Sequence, residues 1–121
     1  MKKLFIILVF VLSAGSLYAV DKDTLSSLWD QANTTYVNGD YSGAIVLYDS
    51  IVGQGYSGSK VFYNLGNAYF KNDAIGKAIV NYNRALKLAP YDKDIQYNLP
   101  IATSYIKDRI VTVPDFFLSN W

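Results

Sequence analysis

One interval of 34 residues occurs twice in this chain, and it constrains the fold more than any other feature. The segment Asn38-Gly39-Asp40-Tyr41-Ser42-Gly43-Ala44-Ile45 returns as Asn72-Asp73-Ala74-Ile75-Gly76-Lys77-Ala78-Ile79, 34 positions later. Ala44 maps to Ala78, Ile45 to Ile79, Tyr48 to Tyr82 and Val52 to Leu86, so the ungapped units are 25–58 and 59–92. A short unit repeated at such a period cannot bury an apolar face alone and must stack on its neighbour.

Small residues (Gly66, Ala78, Ala85) among large ones (Leu65, Tyr69, Tyr82) suit two helices packed closely, with Gly66 expected opposite Ala78. Helices are expected over about 24–38, 41–52, 59–71 and 75–88. Gly39 and Gly53 are candidates for left-handed caps, and Pro90 cannot continue a helix. Asp23 or Thr24, Ser57 or Ser59, and Asp92 are the candidate N-caps. A fifth helix over about 93–108 opens a partial third unit (93–109) without its second helix, and it covers the open face of the array. Pro100 lies inside it, so it either kinks at 96–100 or breaks and restarts with Pro100 in its first turn.

Phe62, Leu65, Gly66, Tyr69, Ala78, Tyr82, Ala85 and Pro90 together resemble the tetratricopeptide repeat signature, W-x2-L-G-x2-Y followed by A-x3-F, A and P. The first unit is the weaker match, with Leu28, Gln31, Ala32 and Thr35 in its first-helix positions. The resemblance implies an all-α fold, a solenoid of antiparallel helix pairs ended by a capping helix. From Val61 onward the text is similar to the BatE-type protein of aerotolerance operons, above all in the tail with Val113-Pro114-Asp115-Phe116-Phe117-Leu118. Members of that branch continue into membrane-spanning helices and an SH3-like domain, which this sequence does not include. Pro100 also departs from the branch, where a helix-friendly residue is usual. This second resemblance implies an envelope scaffold working with von Willebrand A-type membrane proteins and a MoxR-type ATPase.

The N-terminus has Lys2 and Lys3, an apolar run from Leu4 to Leu12, and small Ala19, the parts of a secretory signal peptide over 1–19. Cleavage there would leave Val20 first and a net charge of −1. The competing reading is an uncleaved anchor, because 4–20 is 17 uncharged residues, at the short end for a span. At the other end, the tail 110–121 carries Phe116, Phe117, Leu118 and Trp121, too apolar for a free solvated end. It is expected to fold back on the last repeat, lie on a membrane, or lead into a spanning helix.

Composition narrows the chemistry. The 121 residues contain no Cys and no His, which removes the familiar zinc sites, thiol nucleophiles, Ser-His-Asp triads and disulfide frameworks. A net charge of +1 and a pI of about 7.8 argue against a nucleic-acid binder. The 10 acids are all Asp and are scattered, with Asp92 and Asp94 best explained by capping. No enzyme activity, cofactor or metal is expected. Gly53-Gln54-Gly55-Tyr56-Ser57-Gly58 spells a phosphate-loop fingerprint, but it sits between two helices and reads as a turn. Asn33-Thr34-Thr35 matches a glycosylation sequon inside a helix and reads as incidental.

The candidate site is a protein-binding groove along the first helix of each pair. By register it holds Trp29, Asn33, Tyr36 and Val37, then Tyr63, Asn64, Asn67, Phe70 and Lys71, then Tyr97, Asn98 and Ile101. Rings bury area there, and Asn can pair with a peptide backbone. The alternative is that Tyr63, Phe70 and Tyr97 pad the space between repeats. Chaperone-binding relatives clamp a terminal carboxylate in this groove. Asn33 and Asn64 fit that pattern, but Trp29, Asp94 and Asn98 stand at its cationic positions, so the clamp is incomplete.

Overall fold

The computed structural model describes residues 21–110. The signal-like 1–20 and the tail 111–121 lie outside them, together with the expectations placed on them. Five helices follow in order: α1 (Lys22–Val37), α2 (Tyr41–Gly53), α3 (Ser59–Lys71), α4 (Ile75–Leu88) and α5 (Lys93–Ile110). There is no strand among the described residues. Each helix packs on the next one in the chain, and the turns between them are too short for anything but reversal.

The core repeats at the same interval as the sequence. Ala44 and Ala78, Tyr48 and Tyr82, Ala68 and Ala102, and Val61 and Ile95 are all buried. The last two pairs show that α5 occupies the place of a third unit's first helix. One cluster joins α1, α2 and α3 through Ala32, Tyr48, Ile51, Val61 and Leu65. A second joins α4 and α5 through Ile75, Ala78, Tyr82 and Ala102, with Tyr63 and Phe70 of α3 packed against it. The side chain nearest to Gly66 is Tyr82, one turn on from Ala78. A Cβ built on Gly66 would lie 2.5 Å from Cδ1 of Tyr82, so the missing side chain is the seat of an aromatic ring.

Helix ends follow local chemistry with three departures from expectation. Asp21, rather than Asp23 or Thr24, caps α1, its Oδ1 accepting from the Asp23 N–H at 3.3 Å. Asp40 caps α2 through the Gly43 N–H at 3.0 Å. Gly58, rather than Ser57 or Ser59, precedes α3, because the Tyr56 ring covers it; a Cβ there would meet the Tyr56 hydroxyl at 2.8 Å. Asp92 caps α5 as expected, accepting from the N–H groups of Asp94 (2.9 Å) and Ile95 (3.3 Å). Gly39 takes the left-handed conformation (φ +84°), whereas Gly53 closes α2 and Gly55 makes the left-handed turn instead (φ +95°). Asp73, equivalent to Gly39, is left-handed with φ +62° and pairs with Arg109 at the far end of α5.

Helix α5 does not break at Pro100. Proline lacks only its own N–H, so the bond to the Gln96 carbonyl is lost, and both residues are exposed. Gln96, Pro100, Ser104 and Lys107 form an exposed, largely polar outer face.

Candidate peptide groove

The first helices of the pairs, α1, α3 and α5, supply most of the walls of one cleft. It measures about 310 Å³ and is lined by Tyr36, Asn67, Phe70, Lys71, Tyr82, Asn98 and Ile101. That volume lies at the small end of ligand clefts, roughly 300–1,000 Å³, and suits one or two side chains of an extended segment. Phe70 is held by an edge contact with Tyr105, centroids 5.1 Å apart. Among the described residues, Lys71 is the one charged residue lining the cleft.

A hydrogen-bonded cluster fixes the polar floor. The Tyr82 hydroxyl donates to Asn67 Oδ1 at 2.5 Å. Asn98 Nδ2 donates to the Tyr63 hydroxyl at 2.8 Å and, more distantly, to Asn67 Oδ1 at 3.5 Å. With its carbonyl oxygen engaged twice, Asn67 has its Nδ2 hydrogens left to offer. The first unit repeats the device, the Tyr48 hydroxyl donating to Asn33 Oδ1 at 2.6 Å. Burial, followed by the neighbouring phenols Tyr63 and Tyr36, raises the Tyr82 hydroxyl well above the usual tyrosine range. Burial and Tyr36 push Tyr48 up to about 12. Tyr36 is also raised, by burial first and then by Tyr41 and Tyr63. Raised in this way, all three phenols keep their protons at neutral pH, and those of Tyr48 and Tyr82 are donors held in place.

Of the residues placed in the groove by register, the cleft gathers Tyr36, Asn67, Phe70, Lys71, Asn98 and Ile101. Tyr63 lies beneath it, its ring 5.9 Å from that of Tyr82. Trp29 packs away from it, edge-on to Tyr48 (6.0 Å) and Tyr56 (5.6 Å), as padding of the first core. Asn33, Val37, Asn64 and Tyr97 are not among the lining residues. Tyr82 comes from α4 and was read only as core; its equivalence to Tyr48 marked the ring, and nothing in the pattern marked its hydroxyl.

Other features are chemically plain. The Gly53–Gly58 segment joins α2 to α3 with no strand before it. No group of three metal-binding side chains occurs among the described residues, and no helix among them is long and apolar enough to cross a membrane. An open, mostly apolar hollow on the opposite side of α4 is lined by Val80, Asn83, Arg84, Leu86 and Lys87.

The tetratricopeptide repeat family matches residues 59–92, the span of α3 and α4. No curated protein matches the chain. Residues 59–92 are a tetratricopeptide repeat within an all-helical repeat fold, and repeats of this kind mediate protein–protein contact.

Proposed function

We propose that this protein is a non-enzymatic scaffold of the bacterial envelope that holds an extended segment of a partner protein in the α1–α3–α5 groove. The observation that carries the reading is the cleft floor. Asn67 is oriented by two hydrogen bonds on its Oδ1, so its Nδ2 is presented beside the apolar slot of Tyr36, Phe70 and Ile101. Amide donors beside rings suit a peptide, whose carbonyls need donors and whose side chains need burial. The envelope location rests on Lys2, Lys3, the apolar run and Ala19. The resemblance to the BatE type supports a place in an aerotolerance or stress complex, with von Willebrand A-type membrane proteins as partners.

Photo-crosslinking in cells tests the groove. A photoreactive residue at Phe70 should capture a partner, and one at Val80 on the opposite side should not. Equal capture at both positions rejects the groove. N-terminal sequencing tests export: a mature chain beginning at Val20 agrees with it, and Met1 on membrane-bound protein makes residues 4–20 an anchor.

A further inference from the structure

We propose that residues 113–118 of this same chain occupy the cleft when no partner does, making the tail a competitor built into the scaffold. The inference goes beyond the proposed function and rests on the same groove. Charge complementarity is its first support. Lys71 is the one charged residue lining the cleft among the described residues, and Asp115 is the one charged side chain in residues 111–121. Apolar matching is the second. Phe116, Phe117 and Leu118 follow Asp115 directly, as Phe70 and Ile101 lie beside Lys71 in the lining.

Geometry is the third support. Helix α5 forms one wall of the cleft through Asn98 and Ile101 and is described as far as Ile110. Tyr105, against the Phe70 ring, is five residues from Ile110, about 8 Å along the axis at ~1.5 Å per residue. Crossing from α5 to α3 adds about 8–10 Å. Five extended residues span up to about 17 Å, enough to bring Asp115 back to Lys71. Pro114 needs no partner for an N–H it lacks, and its fixed φ favours the extended form that a donor-lined groove accepts.

The chain has no Cys, so single cysteines placed in the full-length protein report position cleanly. A nitroxide on Ser119→Cys should erase the amide signals of Phe70 and Ile101 and spare those of Val80 and Lys87. Asp115→Lys should restore the erased signals, and Lys71→Asp combined with Asp115→Lys should erase them again. Erasure on the Val80 side, or none anywhere, overturns the proposal. So does erasure that begins only when anionic phospholipid vesicles are added, which would make the tail a membrane segment. The outcome is separable from that of the proposed function. Partner capture at Phe70 without cleft erasure leaves the scaffold standing and removes the competitor. Cleft erasure without any capture, even in Asp115→Lys, does the reverse.

Discussion

Gly66→Ala is the sharpest probe of how the second helix pair is held. The added Cβ would sit 2.5 Å from Cδ1, 2.6 Å from Cε1 and 3.0 Å from Cγ of Tyr82. Comfortable carbon contacts begin near 3.5 Å, so the ring must move by about 1 Å. It is not free to move, because its hydroxyl is bonded to Asn67, the residue after Gly66. Overpacking of this kind costs about 1–3 kcal/mol. Alanine in a helix interior returns about 1 kcal/mol relative to glycine. The net expectation is a loss of about 1 kcal/mol, read as a drop of roughly 4–8 °C in Tm for a domain of this size. The decisive measurement is a double-mutant cycle by urea denaturation. In a Tyr82→Leu background the clash is gone, and Gly66→Ala should change sign and stabilise by about 1 kcal/mol. Stabilisation in both backgrounds would refute the close approach as a structural constraint. The first pair carries Ala32 at the equivalent position opposite Tyr48, so that pair is already spaced for the methyl group.

Asn81 should be improvable. It is 5% exposed, its Nδ2 donates to the Lys77 carbonyl at 2.9 Å, its Oδ1 has no partner among the described residues, and its register equivalent in the first unit is Leu47. Asn81→Leu is therefore expected to raise the urea midpoint, by about 1–2 kcal/mol in stability, and an unchanged or lower midpoint would contradict the unpaired oxygen. Alkali should unfold the protein through its buried phenols. Tyr48 and Tyr82 keep their protons to higher pH when folded than the usual value of 10.0. The folded state then binds more protons than the unfolded one above that pH, and stability falls as pH rises from about 10 to 12. Urea midpoints at pH 8 and pH 11 check this, and equal midpoints would mean the phenols are not buried donors.

How far the sequence was readable depended on whether a position is set by periodicity or by its partner. Ala44, Tyr48, Ala78 and Tyr82 repeat at a fixed interval because each must fill the same space in its unit, and all four are buried. Turn details do not repeat in this way. Gly53 and Gly55 are both able to turn left-handed. The choice falls on Gly55 because α2 runs through Gly53, the Gln54 N–H bonding back to Ser50 and Ile51 and the Gly55 N–H to Val52. The start of α3 at Ser59 is legible in the repeat, but Gly58 before it is not, because its reason is a ring two residues earlier, not a cap. In the groove, periodicity placed Tyr36, Asn67, Phe70 and Asn98 on one side of the stack. It could not separate Trp29 from them, since the residue that covers Trp29 is Tyr56, in a turn whose course the pattern does not specify. Tyr82 shows the same limit from inside, with its ring read from the repeat and its hydroxyl's destination not.

The number of first helices sets how much text the groove can read. Among the described residues the concave wall is three helices wide, built from α1, α3 and α5. Two helix-to-helix intervals of about 8–10 Å give a track of about 16–20 Å. An extended chain advances about 3.3 Å per residue, so five or six residues fill it. On the proposed function, a partner is then recognised by a short word, not by a surface. Such words recur by chance in many proteins, so on that proposal selectivity comes from where the scaffold is held and from what competes for the cleft.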